Sequence, residues 1–96
     1  MVAVRRLVLD VLKPHSPPLT EFAKRVADVE SVAGATATLV ELDQEVQTVK
    51  ITLEGEDLAY EPVEAAVEHL GGSVHSIDEV ACGEYIVEDR TTAQDA

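Results

Sequence analysis

Residues 4–13 read Val-Arg-Arg-Leu-Val-Leu-Asp-Val-Leu-Lys, VRRLVLDVLK, and the alternation within this stretch decides the fold. Side chains on an extended chain point to opposite sides in turn, so Leu7, Leu9 and Val11 share one face while Arg6, Val8, Asp10 and Leu12 share the other. Both faces carry apolar groups. A strand covered on one side only has a cleaner polar face, so residues 4–13 are expected as a central strand whose second face is partly covered.

Working outward, Pro14, Pro17 and Pro18 in KPHSPPLT interrupt any ladder and lead into a helix. Leu19, Phe22, Ala23 and Val26 recur at three- and four-residue intervals and give that helix one apolar face, with Glu21 in its first turn. Gly34 restarts extended chain. Residues 35–43 and 46–54 read as two strands joined by a tight turn at Gln44 and Glu45. In the second of them Val49, Ile51 and Leu53 alternate with Thr48, Lys50, Thr52 and Glu54, the pattern of a half-buried strand. The register of the first depends on whether it contains a bulge. A second helix is expected over 61–70, with Val63, Ala66, Val67 and Leu70 on one face, Pro62 in the first turn and Gly71 as the left-handed stop. A last strand runs over 73–82, Gly83 bends the chain, and residues 89–96 (DRTTAQDA) are expected as a mobile tail.

The order strand, helix, strand, strand, helix, strand fits a split βαβ repeat. The expected architecture over residues 1–88 is an α+β ferredoxin-like sandwich, an antiparallel sheet of order 4-1-3-2 with two helices on one face.

At 96 residues the chain is one domain. With 19 Asp and Glu against 7 Lys and Arg, the net charge of −12 argues against a nucleic-acid backbone and against a polybasic membrane anchor. No apolar run approaches the roughly 18 residues of a membrane span, and no cleavage pattern follows the first apolar run. A cytoplasmic location is expected, and a salt-rich one would screen the self-repulsion of so acidic a chain. The single cysteine, Cys82, has no CxxC partner.

Two groups of residues could carry chemistry. The topology brings the 14–18 loop, the hairpin turn and the start of the last strand to one sheet edge, making His15, Asp43, Glu45 and His75 candidates for a divalent-metal site. No cofactor is assigned beyond that possible ion. On the sheet face away from the helices, Arg6, Val8, Asp10, Leu12, Lys50, Asp78 and Val80 form a candidate interface. Cross-strand pairs of Arg6 with Glu54 and of Asp10 with Lys50 would balance charge there. The run from Ser73 to Glu79 contains Ser, His and Asp. Alternation, however, sends His75 and Glu79 to one side and Ser76 and Asp78 to the other, which argues against a hydrolase triad. No catalytic residue is assigned, and GxGxxG and GxxxxGK[ST] do not occur.

The segments LVLDVLKPHSP, ATLVELDQEVQTVKITLEG and GGSVHSIDEVACGEYIVED resemble the small archaeal family labelled domain of unknown function 211. Leu12-Lys13-Pro14-His15 and Gly71 to Val80 are the most specific parts. The resemblance covers nearly the whole chain and implies a ferredoxin-like fold and a homo-oligomer, with no activity attached; the acidic composition looks like a halophilic version. Together these readings favour a homo-oligomeric binding or regulatory module, with divalent-metal binding at the shared edge as the alternative.

Overall fold

Strand β1, Val4–Pro14, lies between two partners, as its two-sided apolar content requires. The computed structural model describes residues 2–88. In chain order β1 is followed by α1 (Leu19–Ala27), β2 (Gly34–Leu42), β3 (Val46–Glu54), α2 (Tyr60–His69) and β4 (Ser73–Cys82). β1 pairs antiparallel with β3 and β4, and β3 with β2, giving the order β2-β3-β1-β4. This is the expected 4-1-3-2 sheet read from its other edge. Residues 89–96, expected as a tail, lie outside the described residues.

Leu7, Leu9 and Val11 stand in register with Leu53, Ile51 and Val49. Phe22 and Val26 of α1 and Val63 and Val67 of α2 pack on the same cluster, so both helices cover one face of the sheet. Each such side chain, fully buried, contributes about 1.5–3 kcal/mol relative to its exposed state. Helix α1 starts without a side-chain cap; Pro18 is extended and its carbonyl accepts the Phe22 N–H at 2.9 Å. Helix α2 ends where Gly71 takes φ +91°, a left-handed turn that a residue with a Cβ resists. Gly72, the residue before β4, passes close to β1: a Cβ there would meet the Leu12 carbonyl at 2.8 Å.

Four strand positions depart from strict alternation; in β1, the pairs Val4–Cys82 and Arg6–Ala81 leave Arg5 over. In β2, Leu39 faces Val49 and Glu41 faces Thr48, so Val40 is an extra residue. In β4, the pairs Val8–Glu79 and Leu9–Ile77 leave Asp78 over, and Asp10–Ser76 and Val11–Val74 leave His75 over. Each bulge resets which side the following residues take. Ser76 and Glu79, which alternation alone separates, therefore lie on the same face, opposite Asp10 and Val8, and the Ser76 hydroxyl donates to the Asp78 carboxylate at 2.7 Å. Val80 is in register with Leu7, a residue of the helix-covered face.

Candidate functional site

The upper edge of the sheet gathers the end of β1, the β2–β3 turn and the start of β4, since Pro14 faces Val46 and Leu12 faces Ser73. His15 and Asp43 do meet there. The contact is from the ring, with Nε2–H assigned as donor, to the backbone carbonyl of Asp43 at 2.9 Å. The Asp43 carboxylate is turned to its own hairpin and accepts the Gln44 N–H at 2.7 Å, the local bond that suits Asp to a turn. Glu45 and His75 are exposed, and His75 is the extra residue of a bulge. Among the described residues no three of His, Cys, Asp and Glu converge in a way that could hold a metal ion.

One residue at this edge escaped the sequence reading. Lys13 continues the Leu7, Leu9, Val11 row onto the helix-covered face and is fully buried, 0% exposed. Its ammonium donates to the Pro14 carbonyl at 2.8 Å and to Gln47 Oε1 at 3.2 Å, and lies 5.7 Å from the centre of the Phe22 ring. A buried cation is costly unless its donors are satisfied; here neutral oxygens and an aromatic face do so. Burial pushes the Lys13 ammonium below its ordinary value of 10.5. The arrangement holds the residue before His15 in place and so fixes the loop that carries the imidazole.

The open face is organised by Arg6. The guanidinium meets Glu54 of β3 at 2.7 Å, Glu79 of β4 at 3.3 Å and Glu88 beyond β4 at 3.1 Å. Hydrogen bonds to Glu88, then Glu54 and Glu79, raise its pKa further. The Arg6–Glu54 pair forms as the alternation predicts, from residues directly in register. Asp10 and Lys50 are also in register, but no ion pair joins them among the ion pairs of the described residues. Val8, between them and Arg6, is 8% exposed; the flanking side chains already cover it. Leu12 is half-buried, while Lys50, Asp78 and Val80 are exposed.

The exposed apolar side chains within the strands are elsewhere, on the two outer ones. Leu39, Val40 and Leu42 of β2 are 44–62% exposed, and Ile77 and Val80 of β4 are 47% and 53% exposed. Strand order explains this. A residue on an outer strand has a sheet neighbour on one flank only.

These features can be set beside known proteins. The model of the DUF211 family, described as uncharacterized ArCR, matches residues 5–96. The chain belongs to the DUF211 family. It is also similar to an uncharacterized protein of Methanocaldococcus jannaschii, 42% identical over 95 residues that cover 99% of this chain and 98% of the relative.

Within this DUF211 chain, His15 touches Asp43 at the upper edge with Glu45 in the same turn, whereas His75 lies further down β4, in the bulge beside Asp10 and Val11. The missed Lys13 did leave a signal. It falls on the same alternate row as Leu7, Leu9 and Val11, and a lysine in phase with a core row has its methylene stem to bury.

Proposed function

We propose that the chain is a homo-oligomeric binding or regulatory module, working in the cytoplasm, whose copies join through the edges of the sheet. The observation that carries this reading is the exposure of apolar side chains on both outer strands, Leu39, Val40 and Leu42 on one and Ile77 and Val80 on the other. Outer strands also present unpaired backbone groups, a ready template for another chain. β2 and β4 run in opposite directions in an all-antiparallel sheet, so copies in the same orientation would meet β2 to β4 antiparallel. Such a head-to-tail contact forms a ring if the rotation closes. The bulges at His75 and Asp78 interrupt the β4 ladder, which leaves side chains as the main contact on that edge. Sedimentation velocity in 1 M potassium chloride at micromolar protein tests the reading. A species heavier than the 10.3 kDa chain is expected, and a monomer throughout the range would overturn it.

A further inference from the structure

The helix layer has two outer flanks, and they differ in charge. Helix α1 lies over the β2 side of the sheet and α2 over the β4 side. Phe22 of α1 turns toward α2: a Cβ on Gly72 would meet both the Phe22 ring and a Val67 methyl, each at 3.3 Å. The flank of α1 turned the other way, over the β2 edge, carries Thr20, Ala23, Lys24 and Ala27, spaced by three and four residues. Thr20 and Lys24 are exposed there, and Ala23 and Ala27 are half-buried. The second βαβ half repeats the hand of the first, so the flank of α2 over the β4 edge carries Tyr60, Glu61, Glu64 and Glu68. Burial first, then the carboxylates of Glu64, Glu68 and Glu61, hold the Tyr60 hydroxyl above its ordinary value of 10.0, which gathers the three acids around one ring.

The exposed apolar residues of the outer strands lie on this same side of the sheet. Leu39 is in register with Val49, and Ile77 and Val80 with Leu9 and Leu7, all residues of the core cluster. Each outer edge is thus one surface, apolar at the strand and polar at the helix. Among the ion pairs of the described residues Arg25 meets Glu21 at 3.7 Å, whereas Lys24, Glu61, Glu64 and Glu68 take part in none.

We propose that these two flanks dock on each other between copies of the chain, Lys24 of one copy entering the Glu64 and Glu68 flank of the next, and that this match selects β2-to-β4 joining over a two-fold pairing of like edges.

The inference rests on the edge-joined reading of the assembly, to which it adds the helix layer and a polarity. Copies in the same orientation that meet β2 to β4 bring the outer flank of α1 beside the outer flank of α2. Lys24 stands near the middle of α1 and Glu64 near the middle of α2, so the two come level, with Glu68 one turn further on. The small side chains of Ala23 and Ala27 let the helices close. A two-fold contact sets a patch against itself. Pairing β2 with β2 would put Lys24 against Lys24, and pairing β4 with β4 would put three glutamates against three, like-charge contacts that suppress the wrong partner. Only unlike edges join opposite signs.

The experiment is sedimentation equilibrium of the full chain in 1 M potassium chloride, where a screening length of about 3 Å removes most of the general repulsion between acidic copies and spares groups in contact. Lys24→Glu should weaken association by about tenfold, the scale of an exposed ion pair turned into a like-charge contact. Glu64→Lys combined with Glu68→Lys should do the same. The triple exchange, Lys24→Glu with Glu64→Lys and Glu68→Lys, restores opposite signs across a β2-to-β4 contact and should bring association back to within about threefold of the wild type. Across like edges it restores nothing. That recovery also shows that the exchanged residues are compatible with the fold. Wild-type association in Lys24→Glu, or a triple exchange no tighter than Lys24→Glu alone, would overturn the helix-layer contact. Its failure is distinct from that of the edge reading: Leu42→Glu would still weaken association if only the helix contact is wrong, whereas a wild-type monomer would overturn both.

Discussion

Lys13 and Gln47 face each other across the β1–β3 ladder, and the ammonium of the first donates to the side-chain carbonyl of the second at 3.2 Å. The pair lies where the core row of β1 reaches the upper edge, so one side chain is both core filling and loop anchor. Its two roles separate under mutation. Lys13→Met keeps the stem and removes the buried charge; replacing buried ions by apolar groups of similar volume is often neutral or stabilising. Unfolding by urea should find it within about 1 kcal/mol of the wild type, or more stable. Gln47→Leu leaves the ammonium in place with one acceptor fewer and should cost about 1–3 kcal/mol. If Lys13→Met costs more than Gln47→Leu, the account of the pair is wrong.

The same burial gives stability a pH dependence of known sign. The folded-state pKa of Lys13 is lowered below 10.5, so between those values the unfolded chain binds the extra proton and stability rises with pH. The contribution is present above 10.5 and is lost as pH falls through the lowered folded value. General repulsion in so acidic a chain acts on both proteins alike. The comparison is therefore the stability of wild type minus that of Lys13→Met, followed by urea unfolding from pH 7 to 11. That difference should move in favour of the wild type as pH rises, and a flat or falling difference would contradict the assignment.

Assembly through the outer strands predicts which substitutions matter. Leu42→Glu on β2 and Val80→Glu on β4 should each weaken association by about tenfold or more, the effect of ~1.4 kcal/mol. Both residues are exposed, so the stability of the isolated chain should change by no more than about 0.5 kcal/mol. Lys50→Gln, on the open face of a central strand, should leave association intact. Sedimentation that is sensitive to Lys50 and indifferent to Leu42 and Val80 would move the interface to the open face.

Charge sets the fourth expectation. Among the described residues the ion pairs draw on Arg6 and Arg25, against 19 acids in the whole chain. Most carboxylates therefore interact chiefly by repulsion, which salt screens. The thermal midpoint and the assembled fraction should both rise from 0.1 to 1 M potassium chloride, and equally in sodium chloride. Millimolar magnesium at fixed ionic strength should add no saturable increment. An increment of that kind would instead support a specific divalent site, and unchanged midpoints across the monovalent series would remove repulsion as the limiting term.

Sequence alone determined the element order, the central place of β1 and the helix-covered face, because these follow from periodicity. The apolar row of β1, the alternation of β3 and the spacing of Phe22, Val26, Val63 and Val67 each have one arrangement that buries them together. Gly71 likewise announced the end of α2, since few other residues take its left-handed turn. The meeting of the His15 loop with the Asp43 turn was legible too, because chain direction fixes which loops share an edge.

Tertiary structure decided what periodicity cannot carry. The bulges at Val40, His75 and Asp78 each add a residue that one strand has and its partner lacks, so faces counted along β4 go out of step with the ladder until both strands are seen together. The burial of Lys13 depended on Gln47, Pro14 and Phe22 arriving around its ammonium from three elements; without them the same stem would reach out to water. The exposed apolar residues of β2 and β4 have the same hydropathy as those of the core. What separates them is lateral position, because an outer strand lacks the second neighbour that completes burial, and that is a property of the assembled sheet.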